Sequence, residues 1–139
     1  MIDGGSVVLE LLTQAAGVVR LTGADRIFDS VFPPGTFRLN GDDRPAITVN
    51  NVGRQRAQTH GEAPTLFLPR VQVSCWSQDA DAARELSEAV DSALDRYRGV
   101  VLGAEVQTIV VLDDPPDMYE PETKLFHTPI EARLALGLA

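Results

Sequence analysis

Residues 70–98 read RVQVSCWSQDADAARELSEAVDSALDRYR, and the hydrophobic period changes partway through them. Val71, Val73 and Cys75 alternate with Arg70, Gln72, Ser74 and Trp76, which is the two-residue period of a half-buried strand. From Asp79 to Arg98 the apolar positions become Ala82, Ala83, Leu86, Ala89, Val90, Ala93, Leu94 and Tyr97. Steps of three and four put these on one face of a helix. Asp79 and Asp81 suit the positive end of its dipole, Arg96 and Arg98 suit the negative end, and Gly99 is the expected stop.

Outward from this unit the same two periods recur. Val8, Leu11, Leu12, Ala15, Ala16 and Val19 form one face of an N-terminal helix over about Ser6 to Leu21, ended by Gly23. Strands are expected at 45–52 (with Ala46, Thr48 and Asn50 opposed to Ile47, Val49 and Asn51), at 104–112 and at 124–136. In the last of these Phe126, Thr128, Ile130, Ala132, Leu134 and Leu136 share a face, opposite His127, Glu131 and Arg133. The expectation is a single α+β domain over residues 1–139, in the order α-β-β-α-β-β. Its sheet would be four-stranded and mainly antiparallel, with two helices packed on one face. Pro129 has no amide donor, so the last strand should bulge there or lie at an edge. An edge strand presents unpaired backbone groups that a second chain can use.

Composition narrows the class. Hydrophobic residues make up 44% and charged ones 23% of the chain, ordinary globular usage that supports one core. The longest apolar stretch, Val7 to Leu21, carries Glu10, Gln14 and Arg20 and is too short and polar to span a bilayer. Asp3 stands where a secretory leader needs positive charge, so a cytosolic origin is expected. A lone Cys75 fits that reducing compartment and reads as a small apolar strand residue. Residues 1–70 hold seven acids and seven bases, whereas 71–139 hold thirteen acids and five bases, so the net charge of −8 lies in the second half. Such a surface repels phosphate backbones, and neither nucleic-acid readout nor membrane binding is expected.

Catalytic and cofactor signatures are missing: no GxGxxG, GxxxxGK, CxxC or HExxH occurs, and the two histidines are far apart. Asp113, Asp114, Asp117, Glu120 and Glu122 form an acidic run, but Pro115, Pro116 and Pro121 interrupt it and no EF-hand spacing is present. No metal, cofactor or enzymatic activity is therefore assigned. Two polar segments remain. Residues 51–64 are too long for a simple hairpin loop and carry Arg54, Arg56 and His60 against one acid, Glu62. Residues 116–130, PDMYEPETKLFHTPI, are a turn richer than a hairpin needs. In it Pro121 restricts the backbone, Tyr119 offers a rigid amphipathic contact, Glu122 and Thr123 can satisfy turn amides, and Lys124 follows.

Three stretches, TGADRIFDSVFPPGT (22–36), VQVSCWSQDADAARELSEAVDSALDRY (71–97) and MYEPETKLFHTPIEARLAL (118–136), resemble the tail terminator family of long-tailed bacteriophages, also called tail completion or tail-to-head joining proteins. Residues 37–64 depart from the pattern. The resemblance implies an α+β subunit that assembles in the host cytoplasm as a ring, typically a hexamer, on the end of the tail tube. There it stops tube polymerisation and joins the head connector in the neck of the virion. It implies as partners further copies of the chain, the major tail tube protein and a head completion or connector protein. Arg54, Arg56, His60, Tyr119, Glu122 and Lys124 are then the partner-binding candidates, with Arg54 and Arg56 facing the acidic 113–122 segment of a neighbour or of the tube. The competing readings are another neck component, or a small metal-binding domain using the acidic run.

Overall fold

A computed structural model describes residues 3–33, 36–37, 44–56, 66–112 and 117–137, with only the backbone described at 53–56 and 66. Among the described residues the α-helices are α1 (Gly4–Gln14), α2 (Ala16–Thr22) and α3 (Ala80–Leu94), with a short 3-10 turn at Ala24–Arg26. The strands are β1 (Ile27–Asp29), β2 (Ala46–Arg56), β3 (Leu66–Ser77), β4 (Gly99–Val101), β5 (Ala104–Val111), β6 (Met118–Glu120) and β7 (Leu125–Gly137). All seven strands join one sheet in the order β1-β2-β3-β7-β5-β4, with β6 also paired to β7. β1 runs parallel to β2 and every other pairing is antiparallel.

The expected four-stranded antiparallel sheet with two helices is thus corrected to a seven-stranded mixed sheet, curled into a half-barrel, with three helices. The additional strands β1, β4 and β6 span three residues each, too few for alternation to declare them. The N-terminal helix divides at Ala15, whose extended backbone (φ −80°, ψ 111°) separates α1 from α2. That one residue turns the buried face from Ala15 and Val19 to Val18 and Thr22. Gly23 does end α2, at φ 75°, a conformation that favours glycine.

α3 begins as its sequence suggests, with the Asp79 carboxylate accepting from the Ala82 amide. It ends at Leu94, before Gly99, because the chain is drawn onto β5. The Arg96 amide donates to the Ile109 carbonyl at 2.8 Å and the Val111 amide to the Asp95 carboxylate at 3.1 Å.

The core lies between the helices and one sheet face. Val7, Val8, Leu11, Leu12, Val18, Leu86, Val90 and Leu94 meet Ile47, Val49, Val71, Val73, Cys75, Ile109, Ile130, Ala132 and Leu134. Burying each large aliphatic side chain contributes about 1.5–3 kcal/mol. α1 sits close to the sheet because Gly4 leaves no room for a Cβ, which would lie 2.8 Å from Pro69, and because the Gly5 amide donates to the side-chain Oδ1 of Asn51 at 2.9 Å. Cys75 is buried in this core, which pushes its thiol far above the ordinary range.

β7 is a central strand, so the expectation of an edge or a bulge at Pro129 is also corrected. On one side β3 pairs with it throughout the Pro129 region. On the other, β6 covers 125–127 and β5 covers 132–137. The Leu112 amide donates to the Glu131 carbonyl, so the backbone groups of the odd-numbered residues here face the β5 and β6 side. Pro129 therefore directs its donor-less nitrogen away from β3, and the β3–β7 ladder runs through it without a shift of register.

Candidate assembly surfaces

β5 and β6 both pair along the same side of β7, β5 with 132–137 and β6 with 125–127; residues 113–116 between them lie outside the described residues. Asp117 fastens the start of β6. Its carboxylate accepts from Arg84 Nε of α3 at 2.8 Å and from the Thr128 hydroxyl of β7 at 3.0 Å, and Arg84 also pairs with Asp81 at 3.2 Å. The hydrogen bond from Arg84, then that from Thr128, holds the Asp117 carboxyl below the usual carboxylate range. The same contact raises the Arg84 pKa.

Beyond this clasp the arm is exposed. Tyr119 leans on Phe126 with ring centroids 4.8 Å apart, and Met118 lies opposite His127 on the other face. The turn 121–124 closes when the Lys124 amide donates to the Glu120 carbonyl at 2.8 Å, with Lys124 itself at φ 59°. Thr123 donates its hydroxyl to the Glu120 carboxylate at 3.2 Å, and Glu122 and Lys124 point to solvent. Thr123 thus serves Glu120 where the sequence suggested a turn amide.

An aromatic stack braces the arm from behind. His127 lies flat on Trp76, 4.0 Å between centroids and 2° between planes, and the Trp76 indole donates to the Thr48 hydroxyl at 3.0 Å. Phe32 meets Trp76 edge-on at 5.5 Å and Phe37 at 5.4 Å, and the Arg26 guanidinium lies 4.9 Å above Phe37. Arg26 is buried and donates to the carbonyls of Thr36, Arg44 and Pro45, tying the segment after β1 over the sheet. His127 is only 7% exposed, its Nε2 has no hydrogen-bond partner, and burial lowers its pKa, against a smaller upward pull from Glu120.

The other candidate segment, read as a loop over 51–64, is strand as far as Arg56. Arg54 pairs with Pro69 and Arg56 with Phe67, after a bulge between Asn51 and Gly53. The bulge and Pro69 hid the alternation. His60 lies outside the described residues.

Register then separates the two segments. Leu66 of β3 pairs with Gly137 and Ser77 with Phe126, so the Arg54 and Arg56 end and the Tyr119, Glu122 and Lys124 tip stand at opposite ends of the sheet. The intervening strand is roughly 36 Å long. The sequence-predicted site residues are therefore not one site. Arg84, Asp117, Thr128, Trp76 and His127, which support the tip, were missed; the one hint was an arginine among the acids of α3. Among the described residues no three His, Cys, Asp or Glu side chains converge to hold a metal, and Asp113 and Asp114 lie outside them.

The chain superposes on a chain of the solved virion of a native gene transfer agent (GTA) particle with a TM-score of 0.70 at 16% sequence identity, covering 97% of this chain and 95% of that one. The family model of the tail completion protein gp17 matches residues 6–135, so the chain belongs to that family and is a structural protein of the virion tail. No curated protein matches it.

Proposed function

We propose that the chain completes the tail by forming a ring, of six copies as the family resemblance implies, on the last ring of the tail tube. It ends tube polymerisation there and joins the tail to the head connector. The observation that carries this reading is the placement of the two arms at opposite ends of β3 and β7. A subunit that bridges two unlike partners along one axis needs two unlike ends. This one carries Arg54 and Arg56 in the strand at one end, and Glu120 and Glu122 at the tip of the other. Like-charge juxtaposition at a docking surface costs several kcal/mol, whereas charges exposed to solvent contribute little to folding.

The double change Arg54→Glu with Arg56→Glu should therefore leave the subunit folded. Phage particles complemented with it should have unjoined heads and tails, or tails of uncontrolled length. Electron micrographs of a deletion phage carrying this variant supply the count. Normal virions at normal yield would remove the basic end from the docking scheme.

A further inference from the structure

Helices cover one face of the sheet; on the other, Phe32 and Phe37 cover the Trp76 and His127 end, while the opposite end of β3 and β7, with β5 beside it, is exposed. There Arg70 and Arg133 stand directly opposite each other in the β3–β7 ladder, with side chains 47% and 55% exposed. They share one carboxylate, Glu131, at 3.6 and 3.7 Å. Like charges in facing positions repel, and one carboxylate neutralises only one of the two. Val110, the β5 partner of Arg133, is 48% exposed beside them. The patch is thus basic on a chain of net charge −8. On the far side of the sheet α3 turns Asp81, Glu85, Glu88 and Asp91 outward, and its one cation, Arg84, is already held by Asp81 and Asp117.

We infer that this exposed end of the sheet face receives α3 of a second copy of this chain, with Glu85 and Glu88 meeting Arg70 and Arg133. This rests on the ring reading above and supplies its lateral contact. The two complementary patches lie on opposite faces of one subunit, so the contact is heterologous and repeats sideways from copy to copy. Both strand ends stay open for partners above and below. α3 is roughly 22 Å long, enough to cross three strands that together span about 10 Å. A contact built from exposed ion pairs with little apolar area is weak and sensitive to salt.

Sedimentation velocity over a concentration series at low salt, on the full chain, tests this with two variants. Arg70→Glu/Arg133→Glu makes both faces acidic, and Glu85→Arg/Glu88→Arg makes both basic. Each alone should self-associate at least about tenfold more weakly than wild type, and an equimolar mixture should regain association, because every contact then joins opposite charges. If the sheet-face double variant fails to fold, Arg133→Glu alone serves in the same mixture. Variants that each associate like wild type, or a mixture that stays dispersed, would overturn the interface and leave the ring reading standing. A wild-type chain that forms no assembly, either free or on tail tubes, would overturn the ring reading and this interface with it.

Discussion

His127 occupies a position that alternation assigns to the solvent face, yet it is buried under Trp76 with an unpartnered Nε2. Burial depresses its folded pKa below the ordinary value of 6.5, so below that pH the unfolded chain takes up a proton that the folded chain resists. The His127 contribution is accordingly complete above 6.5 and is lost as pH falls through the folded value. Urea midpoints measured by the fluorescence of Trp76, the single tryptophan, should fall between about pH 7 and 5. His127→Gln should flatten most of that slope. An unchanged slope in the variant would assign it to other groups. Asp117 acts with the same sign at lower pH: its depressed carboxyl supports the fold above the ordinary carboxylate range and releases the arm as pH falls through its folded value.

At the scale of the element, α3 does two jobs with two faces. Leu86 is fully buried against the sheet, and Leu86→Asp places an unpaired carboxylate there at a cost of about 4 kcal/mol or more, enough to prevent folding. Arg84 points the other way and, read from helical position alone, is a solvated residue. The structure ties it to Asp117, so Arg84→Ala should keep the fold and loosen the arm. Hydrogen exchange at the amides of 117–120 should then accelerate while the amides of β3 stay protected. Equal acceleration in both would mean that Arg84 supports the whole domain and not the arm. The division of the first helix at Ala15 belongs to this scale too. Its apolar residues are plain in the sequence, but which of them are buried depends on where the helix breaks.

For the whole molecule, the exposed surface is highly charged. The large apolar side chains that it shows, such as Val31, Val100, Val110 and Tyr119, are spread over different elements. Free subunits therefore offer polar contacts of modest area. Light scattering on the isolated protein at micromolar concentration should find chiefly monomer, with rings forming when tail tubes or connectors supply a template. A hexamer that persists at nanomolar concentration would contradict this view and require an apolar interface.

The middles of the long strands, the amphipathic α3 with acids at its start and the apolar Cys75 were legible in the sequence; the ends of β2 and β3 were not, because the bulge after Asn51 and Pro69 break the alternation. The legible parts follow from local geometry: side chains alternate along a strand and recur every 3.6 residues on a helix, whatever lies nearby. Which strands pair and in what register was not legible, because ladders join residues tens of positions apart. That long-range pairing makes β7 central, draws three-residue β1, β4 and β6 into the sheet, and buries His127 beneath Trp76. It also sets Arg54 and Arg56 at one end of the sheet and the Tyr119, Glu122 and Lys124 tip at the other. A strand's length is a property of its own residues, but its direction beside a neighbour exists only once the sheet has closed.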